Sequence, residues 1–231
     1  EGKGFTQKYL KTNFSGRIAK MRYNNYNYSN IVINGNFKKP FFEGKIAIND
    51  PNLVLDFDGT VDLSNYKKRY IFDAKIDFAD LNKLNFVKDS VSKFVGNVRI
   101  NVVGNSIDDF VGNINIDQSS YQNTKNTYNF EDFEMKSSFD SQNVRTLSIN
   151  STDIIEGQIV GKFKFAQLVK MLENSIGSLY TNYKPNPVVS GQFLKFDFVI
   201  YNKIIDIFYP GIEIATNTKI NGSINSNDNE F

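Results

Sequence analysis

Two aspartates separated by one residue are the clearest candidates for chemistry in this sequence. Asp56 and Asp58 lie in the segment LVLDFDGTVDLS, which covers residues 53–64. Neighbouring carboxylates can bind Mg²⁺ through oxygen while one of them attacks a phosphorus atom. The sequence contains no His and no Cys, which excludes His-based triads, thiol nucleophiles and most zinc sites. Magnesium-dependent phosphoryl transfer is therefore the first catalytic hypothesis to weigh.

The same segment resembles the first motif of the haloacid dehalogenase family, an apolar strand followed by Asp-x-Asp-Gly-Thr. The resemblance implies that Asp56 is the phosphoryl-accepting nucleophile and Asp58 a general acid/base. However, the alternation of apolar and polar residues continues through Val61, and Asp108-Asp109 lacks the spacing of the later acidic motif. Only one good helix is predicted, whereas a doubly wound domain needs several. We therefore interpret both aspartates as solvated carboxylates on the outer face of a strand, and predict that the protein is not an enzyme.

The elements that position these aspartates are strands with one apolar and one polar face. A glycine followed by alternating residues recurs at Gly44, Gly59, Gly96, Gly112 and Gly161. Alternation places every second side chain on the same side of a strand. Several gaps between the glycines are too short for an intervening helix, so the pattern predicts an antiparallel or coiled sheet.

Composition also favours an all-β protein. The 231 residues include 21 Phe and 12 Tyr but only 5 Pro, as expected for strands joined by polar turns. The 27 basic and 25 acidic residues are spread along the chain, so we predict no nucleic-acid partner. No apolar run approaches the roughly 18 to 20 residues of a transmembrane helix, and no secretory signal pattern opens the chain.

One predicted helix interrupts the strand series. Leu168, Leu172, Ile176 and Leu179 recur at helical spacing, which predicts an amphipathic helix over 166–183. Strands are then predicted at 191–200, 204–209, 212–215 and 219–224.

No domain boundary is visible, so residues 1–231 are predicted to form a single β-groove segment. Residues 79–94 are predicted to connect two strands through a helical turn, and residues 225–231 to form a disordered tail. Residues 24–29 are predicted to be an Asn/Tyr-rich turn.

Three tyrosines in or beside this turn allow two interpretations. Tyr23, Tyr26 and Tyr28 form either a ligand platform or ordinary cross-strand packing. Packing is the more common role of aromatic residues beside turns.

The segment FSGRIAKMRYNNYNYSNIVINGNFKKPFFEGKIAINDPNLVLDFDGTVDLS resembles TamB-type members of the AsmA-like envelope proteins, particularly Bacteroidetes forms. The order of its features carries the resemblance. A strand opened by Gly16 leads to a Tyr-containing turn, an NGNF element at 34–37, and Gly44 before an Ile-rich strand. DPNL and GTVDLS follow, and the best match covers roughly residues 14–116.

The resemblance implies an elongated, U-shaped β-sheet, or β-taco, with a hydrophobic inner groove. It also implies a periplasmic location, a parent protein anchored in the inner membrane through a segment outside this sequence, and an Omp85-type barrel as the outer-membrane partner. Such proteins are implicated in carrying phospholipids to the outer membrane and in outer-membrane biogenesis. Because the chain begins with Glu1 rather than Met, we expect it to be a piece of a longer protein. No cofactor or metal is expected.

The apolar face of the sheet must be covered, because burial of apolar surface contributes about 25 cal/mol per Å². A second sheet would cover it in an adhesin-like scaffold that binds protein partners. In a groove, acyl chains would cover part of it, each CH₂ contributing about 0.8 kcal/mol. We predict the groove and a noncatalytic lipid-conducting function. The predicted lipid-binding residues are Ile31, Ile33, Phe37, Ile46, Ile48, Leu53, Leu55, Phe57, Val61, Phe72, Ile76, Phe78, Val98, Ile100, Val102, Ile114, Ile116, Phe163, Phe196 and Phe198.

Overall fold

The computed structural model describes residues 2–3, 11–208, 211, 214–215 and 217–226. Contacts divide the chain into two compact units. Unit 1 comprises Glu1–Gly104 and Asn113–Phe133, and unit 2 comprises Asn105–Gly112 and Glu134–Phe231. The predicted fold class, an all-β protein with one amphipathic helix near residues 166–183, is confirmed, and the strands are found to form an open antiparallel sheet.

The strands of unit 1 pair in sequence order. They are β1 (Gly2–Lys3), β2 (Lys11–Tyr23), β3 (Tyr26–Lys38), β4 (Phe41–Asp50), β5 (Leu53–Asp62), β6 (Arg69–Asp80), β7 (Lys93–Val103), β8 (Val111–Gln122) and β9 (Thr127–Phe130). Each strand from β1 to β8 is hydrogen-bonded to the next, and β9 pairs with β8. Two-residue connections join β2 to β3, β3 to β4 and β4 to β5, as expected of antiparallel hairpins.

Unit 2 combines strands with two short helices. Its elements are β10 (Phe133–Phe139), β11 (Arg145–Asn150), β12 (Ile155–Lys162), α1 (Phe165–Gly177), β13 (Phe193–Ile200), α2 (Asn202–Phe208) and β14 (Thr218–Asn225). The strands are ordered β10-β11-β12-β13-β14. Met171 of α1 lies in a buried cluster with Phe163, Leu194 and Ile224, so the helix packs on one face of the strands.

The helix is shorter than predicted, since it ends at Gly177 rather than at Tyr183. The chain folds back after Gly177, and a Cβ atom at this position would lie 2.5 Å from the ring of Tyr183. The side chain of Asn174 holds the returning chain, because its Oδ1 accepts hydrogen bonds from the Tyr183 hydroxyl and from the N–H of Asn186.

The face of the helix that packs on the sheet also differs from the predicted apolar stripe. Met171 is 1% exposed, whereas Leu172, Ile176 and Leu179 are 43%, 63% and 81% exposed. Of the predicted stripe, Leu168 packs against the core. The apolar arc of α1 is wider than the surface it covers, and periodicity alone does not show which part of a wide arc faces inward.

Two smaller predictions are wrong. Residues 204–209 were predicted as a strand, but Asn202–Phe208 is the helix α2, because a short apolar run has no period that separates the two states. The predicted turn at 24–29 is only two residues long. Asn24 and Asn25 adopt φ angles of 47° and 59°, and β3 already begins at Tyr26.

Two further predicted elements agree with the structure. β14 contains the predicted strand at 219–224, and residues 81–92 connect β6 to β7. The N–H of Leu84 donates to the carbonyl oxygen of Asp80, which closes the predicted helical turn.

The strand predicted at 212–215 is not found where it is described, since Ile214 and Ala215 belong to no strand, and Ile212 and Glu213 lie outside the described residues. The tail predicted at 225–231 begins too early, because Asn225 still belongs to β14 and the N–H of Ser226 donates to the carbonyl oxygen of Gln192; the residues beyond Ser226 lie outside the described residues.

The core of unit 1 lies beneath the connection between β6 and β7. Leu84 is 1% exposed and packs with Tyr28, Ile31, Ile48 and Ala79. The connection is fixed to the β2–β3 hairpin, because the side chains of Asn24 and Asn85 each donate to the other's backbone carbonyl oxygen, at 2.8 and 3.0 Å. One end of the apolar face is therefore closed by the chain itself.

A buried carboxylate holds the turn between β4 and β5. Asp50 is 2% exposed and accepts hydrogen bonds from the Tyr26 hydroxyl at 2.5 Å, from the Ser29 N–H and hydroxyl, and from the Asn52 N–H. Burial alone raises the pKa of Asp50, but these hydrogen bonds together outweigh it, so the pKa lies below its ordinary value.

We expect the stability of unit 1 to depend on this carboxylate in acid. A carboxyl group whose folded pKa is lowered stabilises the fold above its unfolded pKa of about 3.9, and this contribution is lost as pH falls through the folded value. Asp50→Asn is expected to lower the free energy of unfolding by about 2 kcal/mol at neutral pH. The stability of this variant is also expected to fall less steeply as the pH is lowered, because asparagine does not titrate. Urea unfolding of both proteins across this range measures the difference, and equal acid slopes would contradict the prediction.

Candidate functional site

The apolar residues of unit 1 form rows that run across the strands. In one row, Ile33, Ile46, Phe57, Ala74 and Val98 are successive partners from β3 to β7. Directly opposed residues of an antiparallel pair share a face, with Cβ atoms about 4.5 to 5.5 Å apart. The strand register therefore aligns these side chains into a continuous apolar surface.

Parallel rows extend this surface on both sides. They comprise Ile18, Ile31, Ile48, Leu55 and Ile76; Gly35, Gly44, Gly59, Phe72 and Ile100; and Phe37, Phe42, Val61, Tyr70 and Val102. We call the surface formed by all four rows the apolar face. The structure thus brings most of the predicted lipid-binding residues of unit 1 onto one side of a sheet.

Three glycines in register allow the strands to approach closely on this face. A Cβ atom at Gly35 would lie 2.4 Å from the carbonyl oxygen of Glu43, and one at Gly44 would lie 2.3 Å from that of Asn34. At Gly59 the nearest atom would be the carbonyl oxygen of Ile71, also at 2.3 Å. The recurring glycine of the sequence therefore lies inside these strands, at positions where no side chain fits.

Aromatic rings pack beside the glycine positions. The ring centroids of Phe57 and Phe72 are 4.9 Å apart, and those of Phe42 and Phe57 are 6.2 Å apart. Large rings next to residues without side chains fill the space that the glycines leave. Phe57 and Phe72 thus form the aromatic centre of the apolar face.

Exposure divides the apolar face into a closed end and a partly open part. Ile31 and Ile48 are 1% and 9% exposed and belong to the core beneath Leu84, so they are closed to a ligand. Leu53, Leu55 and Ile76 pack against the same core while keeping partial exposure. The remaining predicted residues from β3 to β7 on this face are partly buried: Ile33, Phe37, Ile46, Phe57, Val61, Phe72, Val98, Ile100 and Val102.

One predicted residue of β6 lies on the other face. The register between β5 and β6 shifts after Val54, so that Leu55 is opposite Ile76 while Val54 is opposite Phe78. Because one extra residue of β6 is accommodated there, Phe78 leaves the apolar face and Ala79 takes its place. Alternation read from the sequence alone does not reveal such a bulge.

The predicted residues of β8 follow the alternation of that strand. Asp117 forms an ion pair with Arg99 at 2.6 Å, on the polar face of the sheet. Ile114 and Ile116 alternate with Asp117 and Asn115, which places them on the apolar side, where both are partly buried.

The predicted residues of unit 2 belong to its own packed interior. Phe163 and Phe198 are 8% and 6% exposed, and Phe196 packs against the cluster that contains Met171 of α1. The helix therefore covers this part of the unit 2 strands. Phe163 packs in the same cluster as Met171 of α1 and also lines a small pocket beside Arg145.

The two aspartates of the DFDGT segment lie on the polar face. Asp56 and Asp58 are exposed in the middle of β5, and Asp58 forms an ion pair with Lys45 at 3.1 Å. Asp58 is also directly opposite Asp73. The predicted orientation of both carboxylates toward solvent is confirmed. Among the described residues, no group of three or more His, Cys, Asp and Glu side chains is arranged to hold a metal ion.

The tyrosines near the first hairpin do not form a common platform. Tyr26 and Tyr28 pack edge to face with ring centroids 4.9 Å apart, and Tyr28 is 5% exposed. The Tyr26 hydroxyl is bound to Asp50, while Tyr23 is 62% exposed. Tyr26 and Tyr28 lie on the same strand, and their packing on each other and in the core of unit 1 accounts for both rings.

Comparison with known proteins finds no match. This holds for profiles of protein families, for curated proteins and for solved structures. Among the described residues, neither helix has the length and apolar character that crossing a bilayer requires.

A buried arginine in unit 2 was not identified from the sequence. Arg145 is 1% exposed and is the cross-strand partner of Phe139 and Gly161. A signal for it exists, because Arg145 alternates in phase with Leu147 and Ile149 in β11. An arginine in phase with apolar residues points toward the buried side of a strand, where its charge needs partners.

Proposed function

We propose that unit 1 binds phospholipid acyl chains on its apolar face, and that the chain is a noncatalytic, lipid-conducting segment. The alignment of the four apolar rows across β3 to β7 carries this proposal. All the strands described in unit 1 belong to one sheet, and most of the rows stay partly exposed. Apolar surface of this extent favours an apolar ligand or partner.

Acyl chains fit the chemistry of these rows better than a polar ligand does. Leu, Ile, Val and Phe side chains make weak, nondirectional contacts, and each buried CH₂ group contributes about 0.8 kcal/mol. Repeated contacts of this kind allow an acyl chain to move along the surface without one dominant binding step. The ion pairs of unit 1, such as Lys45 with Asp58 and Lys75 with Asp77, link polar residues that are exposed to water.

The cellular setting of the proposal comes from the resemblance to TamB-type proteins. In that setting the chain lies in the periplasm as part of a longer protein anchored in the inner membrane. Its partner at the outer membrane is an Omp85-type barrel, and the transported molecules are phospholipids on their way to that membrane.

Photo-crosslinking at neighbouring residues of β7 tests the proposal. Val98 is on the apolar face and Arg99 is on the polar face, so they form a matched pair one residue apart. We expect a photoreactive amino acid at Val98 to capture lipid, detected by mass spectrometry, and the same amino acid at Arg99 to capture about tenfold less. Equal capture at both positions, or no lipid at either, contradicts acyl-chain binding.

A charged substitution provides an independent test. Phe57→Glu places a carboxylate at the aromatic centre of the apolar face, and we expect the amount of bound lipid to fall about tenfold. Thr60→Glu on the polar face of the same strand is the control. Circular dichroism must show equal strand content in both variants, so that lost binding is separated from lost fold.

A further inference from the structure

Arg145 lies within a cage of four phenylalanine rings. Its guanidinium carbon is 4.6 Å from the ring centroid of Phe110, 5.0 Å from Phe165, 5.4 Å from Phe139 and 5.8 Å from Phe163. Cations are attracted to the faces of aromatic rings, and this attraction offsets part of the cost of burial. The cage holds the side chain in place without neutralising its charge.

The guanidinium group carries more N–H donors than the surrounding acceptors can pair. Nε donates to the Ser137 hydroxyl and Nη1 donates to the carbonyl oxygen of Ile107, both at 2.9 Å. Nη2 is buried and has no hydrogen-bond partner. Arginine carries five N–H donors and stays cationic at neutral pH, so several donors of this group face no oxygen.

The nearest acidic residues stabilise the backbone around the cage. Asp108 accepts the N–H of Phe165 at 2.8 Å, and Asp109 accepts those of Asn105 and Ser106. Their charges favour the cation at a distance, although burial lowers the pKa of Arg145. Among the described residues, no carboxylate forms an ion pair with Arg145.

A pocket of about 260 Å³ lies beside the cage. Its lining contains Arg145 and the exposed Lys162 and Lys164, and it includes no acidic residue. A water molecule occupies roughly 30 Å³ in the liquid, so the pocket has room for a tetrahedral anion with its attached group. Phe139 also lines it and is the most exposed ring of the cage, at 36%.

We propose that this pocket binds a phosphate group. The phosphate oxygens accept hydrogen bonds from Nη2 of Arg145, and Lys162 and Lys164 supply further positive charge. Guanidinium groups match phosphate through paired hydrogen bonds, which suits the donors left over here. Because Nη2 is buried, a ring of the cage must move for the anion to reach it, and Phe139 is the ring we expect to move, since it lines the pocket and is the most exposed of the four.

The phosphate belongs either to a phospholipid headgroup or to a small soluble phosphate ester. Both present the same oxygens to Arg145. The site lies in unit 2 and does not depend on acyl-chain binding by unit 1, so either proposal can fail while the other stands.

The site is tested by titrating the whole chain with phosphate compounds while ¹⁵N NMR follows the side-chain N–H signals of the arginines. The probes are inorganic phosphate, glycerol 3-phosphate and a short-chain phosphatidylglycerol below its micellar concentration, at constant ionic strength. Arg17, Arg22, Arg69 and Arg99 are exposed and serve as internal controls. We expect a saturable shift of the Arg145 signal alone.

The three probes distinguish the sources. A response to all three supports a general phosphate site, and a response to the lipid alone supports headgroup recognition. No shift of Arg145 with any probe, or equal shifts of all five arginines, overturns the proposal.

Substitutions check the assignment of the contacts. Arg145→Lys keeps the charge but loses the paired donors, and we expect phosphate to bind about tenfold more weakly. Lys164→Gln is expected to weaken binding less, and Lys75→Gln in unit 1 not at all. Phe139→Ala is expected to speed binding, because it removes the covering ring. If Arg145→Lys does not fold, the phosphate affinities of wild type, Lys164→Gln and Lys75→Gln still test the site. Equal affinities of these three proteins overturn the proposal.

Discussion

Gly44→Ala and Gly59→Ala are each expected to destabilise unit 1 by about 3 kcal/mol. An added Cβ atom at either position would lie 2.3 Å from a carbonyl oxygen of the neighbouring strand. The φ angles of 154° and 157° are also rarely adopted by residues with side chains. The methyl group would therefore force adjacent strands apart at the aromatic centre of the apolar face.

Two other glycines separate the steric effect from backbone strain. A Cβ atom at Gly16 would be 3.4 Å from the Phe14 ring, an ordinary contact, so Gly16→Ala is expected to change stability by less than about 0.5 kcal/mol. Gly191 has a φ angle of 80° but open space around it, so Gly191→Ala measures the conformational cost, about 1 kcal/mol.

Urea unfolding gives the free-energy changes, and amide hydrogen exchange shows where they arise. For Gly44→Ala and Gly59→Ala, faster exchange is expected in β4, β5 and β6 and not in unit 2. If Gly16→Ala is as damaging as Gly59→Ala, the close approach of the strands is not the cause.

The glycine positions show why sequence reasoning succeeded for much of the sheet. A recurring glycine within an alternating pattern predicts strands with one apolar face, and the register places Gly35, Gly44 and Gly59 side by side. The same alternation correctly oriented Asp56 and Asp58 toward solvent. A local period of two is enough to predict the strands and the orientation of their two faces, because neither needs knowledge of distant contacts.

The wrong predictions concern features that the local period of the sequence does not contain. The bulge that moves Phe78 to the polar face depends on how β6 is matched to β5. The inward face of α1 depends on which side of its wide apolar arc meets Leu194 and Ile224. Closure of Ile31 and Ile48 by Leu84 depends on a connection that returns over the sheet. Each of these is decided by residues far apart in the sequence.

Arg145→Ala is expected to destabilise unit 2 by about 4 kcal/mol. The substitution leaves a cavity among the four rings and removes the donors to Ser137 and to the carbonyl oxygen of Ile107. Ser137 keeps its own hydrogen bond, since its hydroxyl donates to the carbonyl oxygen of Phe110 at 2.7 Å. The loss therefore comes mainly from packing and from the carbonyl group of Ile107.

Arg145→Met separates shape from charge at the same position. Methionine fills much of the cage and carries no charge to desolvate, so we expect a loss of about 1 kcal/mol or less in phosphate-free buffer. Saturating phosphate should increase the difference in stability between wild type and Arg145→Met, because a ligand that binds only the folded wild type stabilises it by mass action. Thermal unfolding with and without phosphate measures both effects. A difference that stays constant would show that the arginine is retained for its contacts within the cage, and that phosphate does not reach it.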